Sequence, residues 1–194
     1  MIKNNFLETI KSLDGEVYNL KYHQERYESV LNSLGCSDYK NLRDYLFPPL
    51  KGLYRCRLTY NENQINVSYH GYKKRDIKSL KIVYDDTIEY AKKSEDRNSL
   101  DELYAQRKSS DEILIVKNGL VTDTTIANIA FFKNGIWYTP TSPLLQGTTR
   151  QRYLDNAKLI EADIVVQDLK KYTKIALLNA MIDFDIITDI SYEM

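Results

Sequence analysis

Residues 111–150 read DEILIVKNGLVTDTTIANIAFFKNGIWYTPTSPLLQGTTR, and the punctuation of this stretch decides the fold. Short apolar runs at 113–116, 126–132 and 136–138 are rich in β-branched and aromatic residues. They are broken by Lys117-Asn-Gly119, Lys133-Asn-Gly135 and Thr139-Pro140. Such runs between turn residues read as strands, and an Asn-Gly pair is a strong short-range hairpin signal. Gln146-Gly-Thr-Thr149 then opens a helix predicted over 149–159. A glycine and hydroxyls at a helix start expose backbone N–H groups at the positive end of the dipole, which suits a phosphate. The same residues also read as an ordinary cap at Thr148 or Thr149.

Working outward, strands are predicted at 5–12 and 17–20 around Leu13-Asp-Gly15, and at 53–60, 64–69 and 80–84. Apolar residues at helical spacing predict a helix over 22–34, ended by Gly35. A second helix is expected over 39–46, stopped by Pro48-Pro49, and a third over 98–107. Toward the C-terminus, strands are expected around Ile164 and Val166, at 175–178 and at 185–190, with a turn at Asn179-Ala-Met181. Strands and helices mix without strict alternation, so the class is α+β. The charged stretch 85–92 reads as a connector between a smaller N-terminal α/β subdomain, 1–84, and a larger C-terminal one, 93–194.

Composition removes several functions. The chain has 194 residues, with 27 basic against 27 acidic side chains. No basic face is implied, so nucleic acid and acidic membranes are excluded as first readings. Cys36 and Cys56 are the only cysteines; they offer neither a disulfide framework nor metal spacing, which fits a reducing cytoplasm. The start, MIKNNFLETIKS, has no apolar leader core, and no run is long enough to span a bilayer. The sixteen tyrosines read as half-buried packing.

Tyr90-Ala-Lys-Lys-Ser-Glu-Asp-Arg97 is the second unusual stretch. It reads either as a solvated charged connector or as the seat of a Schiff-base lysine. A Schiff-base lysine, Lys93, needs helpers if it works on pyridoxal phosphate. An acid must keep the pyridine nitrogen protonated, and Asp123 is placed for that after the Gly119 hairpin. Cations and N–H donors must hold the phosphate, and Arg26 with the Thr148-Thr149 turn can supply them.

Taken together, these motifs resemble the class IV aminotransferase family, the fold-type IV pyridoxal-phosphate enzymes. The matching pieces are Phe6-Leu-Glu-Thr9 with Asp14-Gly15, His23-Gln-Glu-Arg26, Lys93-Ser-Glu-Asp-Arg97, Thr122-Asp-Thr-Thr-Ile-Ala-Asn128, Gly147-Thr-Thr-Arg150 and Leu178-Asn-Ala-Met181. The resemblance implies pyridoxal 5′-phosphate as cofactor and two mixed α/β subdomains with the active site at their junction. Lys93 would be the Schiff-base lysine and proton shuttle, and the spacing to Asp96-Arg97 selects it over Lys92. Arg26, Thr148, Thr149 and, more weakly, the Ala180 backbone would bind the phosphate. Asp123 stands where the family usually has a glutamate, one methylene longer. Asn128 reads as a brace. Arg57 falls where relatives bind a substrate carboxylate, although it reads equally as an outward strand arginine. The family's usual N-terminal segment is shortened here.

Thr9 and the Leu178-Asn-Ala turn are similar to those of 4-amino-4-deoxychorismate lyases, while Thr9 is also an unremarkable β-branched strand residue. The favoured expectation is therefore a lyase converting 4-amino-4-deoxychorismate to 4-aminobenzoate and pyruvate, a step toward folate. Catalysis would fall to Lys93 and Thr9. The alternatives are a branched-chain or D-amino acid transaminase and a cofactor-less relative. The implied partners are a small-molecule amine substrate and a second copy in a homodimer, with no nucleic acid, membrane or metal.

Overall fold

The structure, a computed structural model, describes residues 5–193; the MIKN start, read above as lacking a leader core, lies outside them. The chain divides into two compact units. The first is the chain through Lys74 together with Lys92–Asp96, and the second is Arg75–Ala91 with the chain from Arg97 onward.

The first unit holds β1 (Phe6–Leu13), β2 (Glu16–Val17), α1 (Leu20–Asn32), β3 (Leu53–Tyr60) and β4 (Ile65–Gly71). They form an antiparallel sheet in the order β2-β1-β3-β4. Asp14 and Gly15 both adopt positive φ, 48° and 83°, which the tight β1–β2 hairpin requires. Strand alternation turns Phe6, Glu8 and Ile10 toward α1, where Tyr27, Val30 and Leu31 pack on Cys56, Leu58 and Tyr60. Thr9 and Lys11 therefore belong to the opposite face. β1 is in register with β3 so that Thr9 lies opposite Arg57.

The second unit holds β5 (Ser79–Tyr84), α2 (Asn98–Ala105), β6 (Glu112–Lys117), β7 (Leu120–Val121), β8 (Asn128–Lys133), β9 (Ile136–Pro140), α3 (Thr148–Asp155), β10 (Ile160–Ala162), β11 (Lys174–Asn179), β12 (Asp183–Ile187) and β13 (Ser191–Glu193). Two sheets result, in the orders β13-β5-β6-β7 and β10-β9-β8-β11-β12. Leu114 and Val116 of β6 meet Ile129 and Phe131 of β8 and Ile175 and Leu177 of β11 in the core between them. Ile113 and Ile115 face the other way, onto Leu100 and Leu103 of α2. β6 is thus buried on both faces, which explains its continuous apolar run. Ala130, Ala176 and Leu178 form the outer face under Tyr153 and Leu154 of α3.

Several expectations shift. The helix expected over 39–46 is only a 3₁₀ turn, Leu42–Tyr45. Its backbone is spent elsewhere: the Leu42 N–H donates to Gln24 Oε1 (2.8 Å), the Lys40 N–H to the Tyr27 hydroxyl (3.2 Å), and the Lys40 carbonyl accepts from Gln24 (2.9 Å). α3 ends before Leu159. Ala157 turns to φ 53°, and the Lys158 N–H closes back on the Tyr153 carbonyl (2.9 Å), a Schellman-type stop that frees Leu159 to enter the outer-face cluster. The strand expected around Ile164 lies earlier, at β10, and Val166 begins a 3₁₀ turn. The expected division, 1–84, 85–92 and 93–194, also changes. β5 pairs with β6 and so joins the second unit. Lys93 joins the first, because the Leu7 N–H donates to its carbonyl (2.8 Å) and Phe6 bridges Ser94. Among the described residues, no helix is long and apolar enough to cross a membrane.

Candidate active site

In the first unit the inward carboxylate of Glu8 is the organising charge. It is fully buried between two side chains of α1. Arg26 donates to it through Nε (2.7 Å) and Nη2 (2.5 Å), and His23 Nδ1 lies 2.6 Å from Oε2. A carboxylate only accepts, so Nδ1 carries the proton. Burial alone would raise the Glu8 pKa. The Arg26 charge and the His23 and Arg26 hydrogen bonds outweigh it and hold the carboxyl down at about 2. Burial pushes His23 below its usual 6.5; the Glu8 carboxylate opposes this, while the Arg26 and Lys93 charges add to it. Lys93 therefore lies within electrostatic reach of the pair.

On the opposite face, Thr9 and Arg57 are cross-strand partners, and Arg57 Nη2 donates to Glu95 Oε1 (2.8 Å). Glu95 also accepts from Asn5 (3.0 Å), and the Glu95 N–H binds the Asn5 carbonyl (2.9 Å). The Lys93–Glu95 segment is thus stitched to β1 by backbone bonds and to β3 by an ion pair. The first unit brings together Thr9, Arg57 and the Lys93 backbone, with Arg26 anchored on the other face of β1.

The second unit gathers the other expected residues. Asp123 precedes β8 and is buried; Asn128 donates to its Oδ1 (2.7 Å) and the Leu145 N–H to its Oδ2 (3.0 Å). Burial pushes its carboxyl up to about 6, against the pull of the Leu145 N–H, the Asn128 amide and the Arg150 charge. Asn128 also donates to the Leu145 carbonyl (2.8 Å), so it braces the loop before α3, where the sequence had suggested a brace for its own strand. Its Oδ1 stands so close to Gly147 that a Cβ there would come within 1.8 Å of it. Gly147 is the N-cap of α3 and offers no side-chain cap, and no acidic residue occupies the first turn. The first N–H groups of a helix lack intrahelical acceptors, so those of Thr148 and Thr149, both buried residues, have the chemistry to bind an anion. Ala180 lies in the β11–β12 turn, where Asn179 Oδ1 accepts from the N–H groups of Met181 (2.9 Å) and Ile182 (3.1 Å), and its amide donates to the Ile126 carbonyl (3.1 Å).

Three residues had no role from sequence. Glu8 was legible as an acid at an inward position of the β1 alternation. Arg97, in the Lys93 motif, donates to the Thr125 carbonyl (2.9 Å) and so pins the Asp123 loop. Gly147 was read as part of a phosphate-binding helix start; nothing in sequence announces its contact with Asn128.

These groups suit pyridoxal phosphate. An uncapped helix N-terminus suits a phosphate, and a Cβ at residue 147 would collide with Asn128 Oδ1. A buried carboxylate driven up to about 6 gains from a protonated ring nitrogen beside it.

The family description "Amino-transferase class IV" matches residues 54–190. A Haemophilus influenzae protein described as uncharacterized is 38% identical over 180 residues, covering 90% of this chain and 96% of its own length. The crystal structure of a candidate 4-amino-4-deoxychorismate lyase from Haemophilus somnus superposes with a TM-score of 0.83 at 35% identity, covering 93% of this chain and 98% of that one. A hypothetical aminotransferase from Mycobacterium tuberculosis, in a pyridoxal-phosphate-bound form, shares the fold alone, with a TM-score of 0.80 at 16% identity over 98% of this chain and 81% of its own. Motifs, fold and relatives agree: the chain belongs to the class IV aminotransferases, a family of pyridoxal-phosphate-dependent enzymes that includes lyases.

Proposed function

We propose that the protein is a pyridoxal-phosphate-dependent lyase that converts 4-amino-4-deoxychorismate to 4-aminobenzoate and pyruvate, a step toward folate in the cytoplasm. The observation that carries this reading is the pairing of Thr9 with Arg57 on the sheet to whose β1 the Lys93 segment is hydrogen-bonded. A hydroxyl, a carboxylate-binding guanidinium and a lysine then serve one reacting centre, as an elimination needs.

When bound, pyridoxal phosphate supplies an electron sink for the pair released as a C–H bond breaks. The N–H groups of Thr148 and Thr149, the Thr149 hydroxyl and the Ala180 backbone hold the phosphate. Arg26, with two of its five N–H donors fixed by Glu8, would contribute positive charge to binding the phosphate. Asp123 keeps the ring nitrogen protonated; ionised above about 6, it is ready at neutral pH. Lys93 would hold the cofactor as its Schiff-base residue and, when not so engaged, would take the proton from ring C4 of the substrate. Arg57 exchanges Glu95 for a substrate carboxylate. Thr9 or Lys93 then hands a proton to the departing enolpyruvate, which leaves as pyruvate.

The test is pyruvate release from 4-amino-4-deoxychorismate with no amino acceptor present. Stoichiometric pyruvate and 4-aminobenzoate are expected. Amino transfer to a 2-oxo acid without pyruvate release would replace the lyase by a branched-chain or D-amino acid transaminase. The same reading expects a homodimer; a fully active monomer in sedimentation would remove that part.

A further inference from the structure

The chain enters the second unit twice, at Arg75 and at Arg97. Both arginines converge on Thr125, just past Asp123. Arg97 Nη2 donates to the Thr125 carbonyl (2.9 Å). Arg75 reaches the Thr125 hydroxyl through Glu112, the first residue of β6. Arg75 Nη1 donates to Glu112 Oε2 (3.1 Å), and Thr125 Oγ1 donates to Glu112 Oε1 (2.7 Å). Glu112 is fully buried, and its Oε1 also accepts from the Ile113 N–H (3.0 Å). A buried ion pair adds little net stability over an apolar pair of similar volume. Its return here lies in where it holds Thr125. That residue sits at the tip of the loop that carries Asp123. Asp123 and Asn128 close the loop at its base as an isolated bridge. Above them the Thr124 hydroxyl donates to the Ala127 carbonyl (3.0 Å) and accepts from the Ala127 N–H (3.0 Å). A loop closed on itself in this way tilts as one piece about its tie to β6, where the Ile115 N–H donates to the Asp123 carbonyl (2.9 Å). The contacts at its tip set the angle.

The geometry assigns Glu112 and Thr125 as positioning residues for Asp123: by fixing the tip of the loop they aim the carboxylate at its base. The assignment rests on the reading of Asp123 as the acid beside the ring nitrogen of pyridoxal phosphate. Hydrogen bonds weaken steeply with misalignment. A small tilt of the loop is therefore paid in affinity for the ring nitrogen and not in affinity for the rest of the cofactor.

The test compares the Kd of pyridoxal phosphate with that of its 1-deaza analogue, in which C–H replaces the ring nitrogen, by fluorescence titration of cofactor-free protein. The analogue keeps the aldehyde and the phosphate and lacks only the group that Asp123 would face. Wild type is expected to prefer pyridoxal phosphate, because the analogue leaves a buried carboxylate unpaired. Asp123→Asn should lose that preference. Thr125→Val removes the hydroxyl at nearly constant volume. It should raise the Kd of pyridoxal phosphate about tenfold and leave that of the analogue within about twofold. Thr125→Ser, which keeps a hydroxyl, should bind both as wild type does. Glu112→Gln should shift the same ratio in the same direction, and adding it to Thr125→Val should change the ratio no further. Should Glu112→Gln fail to fold, the contrast between Thr125→Val and Thr125→Ser decides the matter. A residue that merely stabilises the fold would weaken both ligands alike. Equal weakening in Thr125→Val, an unchanged ratio, or effects that multiply in the double variant would overturn the assignment. The two readings fail separately. Wild type that does not distinguish the ligands removes the ring-nitrogen role of Asp123, and the assignment with it. A preference lost in Asp123→Asn but kept in Thr125→Val removes the assignment alone.

Discussion

Arg26 cannot be weighed apart from Glu8. A buried carboxylate facing a guanidinium is balanced only while both are charged. Glu8→Gln leaves Arg26 without its counter-charge, and is expected to cost roughly 3–5 kcal/mol in urea unfolding at neutral pH. The pH dependence has a definite sign. The folded carboxyl sits at about 2 against 4.5 in the unfolded chain, so its stabilisation is complete above 4.5 and drains as pH falls toward 2. His23 adds in the same direction, because below 6.5 the unfolded chain takes up a proton that the buried ring resists. Asp123 has the opposite sign. Its unfolded pKa of 3.8 rises to about 6 on folding, so the cost of its buried charge appears as pH climbs between those values. In cofactor-free protein, the stability difference between wild type and Asp123→Ala should therefore shift against wild type by roughly 3 kcal/mol between pH 3.8 and pH 7. A difference constant with pH would mean that Asp123 is not the buried acid described above.

At the scale of the element, α3 depends on one missing methyl group. Gly147→Ala would push Cβ into Asn128 Oδ1, and Asn128 also holds Asp123 and the Leu145 carbonyl. The expected loss is about 1–3 kcal/mol by thermal unfolding, as for other overpacked sites. Asn128→Ala in the same background should recover part of it; strictly additive losses would show that the two residues do not meet. Elements with local causes were legible in sequence. Asp14-Gly15, Asn118-Gly119 and Asn134-Gly135 all turn with positive φ, as their hairpins demand. Elements decided by tertiary partners were not. The 3₁₀ turn at Leu42–Tyr45 is short because α1 side chains claim its backbone, and β10 lies where it does because it pairs in parallel with β9. The site divides the same way. Residue identities in the motifs pointed to Lys93, Asp123 and the Gly147 turn. The Glu8 anchor on Arg26 and the Arg97 pin on Thr125 join residues far apart in sequence, and no local spacing displays them.

For the whole molecule, the chain crosses between its units on either side of Lys93. Arg75–Ala91 belongs to the second unit, Lys92–Asp96 returns to the first, and Arg97 starts the second again. The five-residue segment carrying the central lysine is thus tied to β1 by the isolated Phe6–Ser94 bridge and by the Leu7 and Glu95 N–H groups. Thr148 and Thr149 of α3 and the carboxylate of Asp123 belong to the other unit. A Schiff base at Lys93 is the one property on which every proposed role converges. The most direct measurement is the visible spectrum with added pyridoxal phosphate, recorded for wild type and Lys93→Ala and followed by borohydride reduction and peptide mapping. A yellow band in wild type, absent from Lys93→Ala and trapped by borohydride on Lys93, is the predicted result. No band, or a band unchanged in Lys93→Ala, would contradict the assignment and favour a relative that has lost its cofactor.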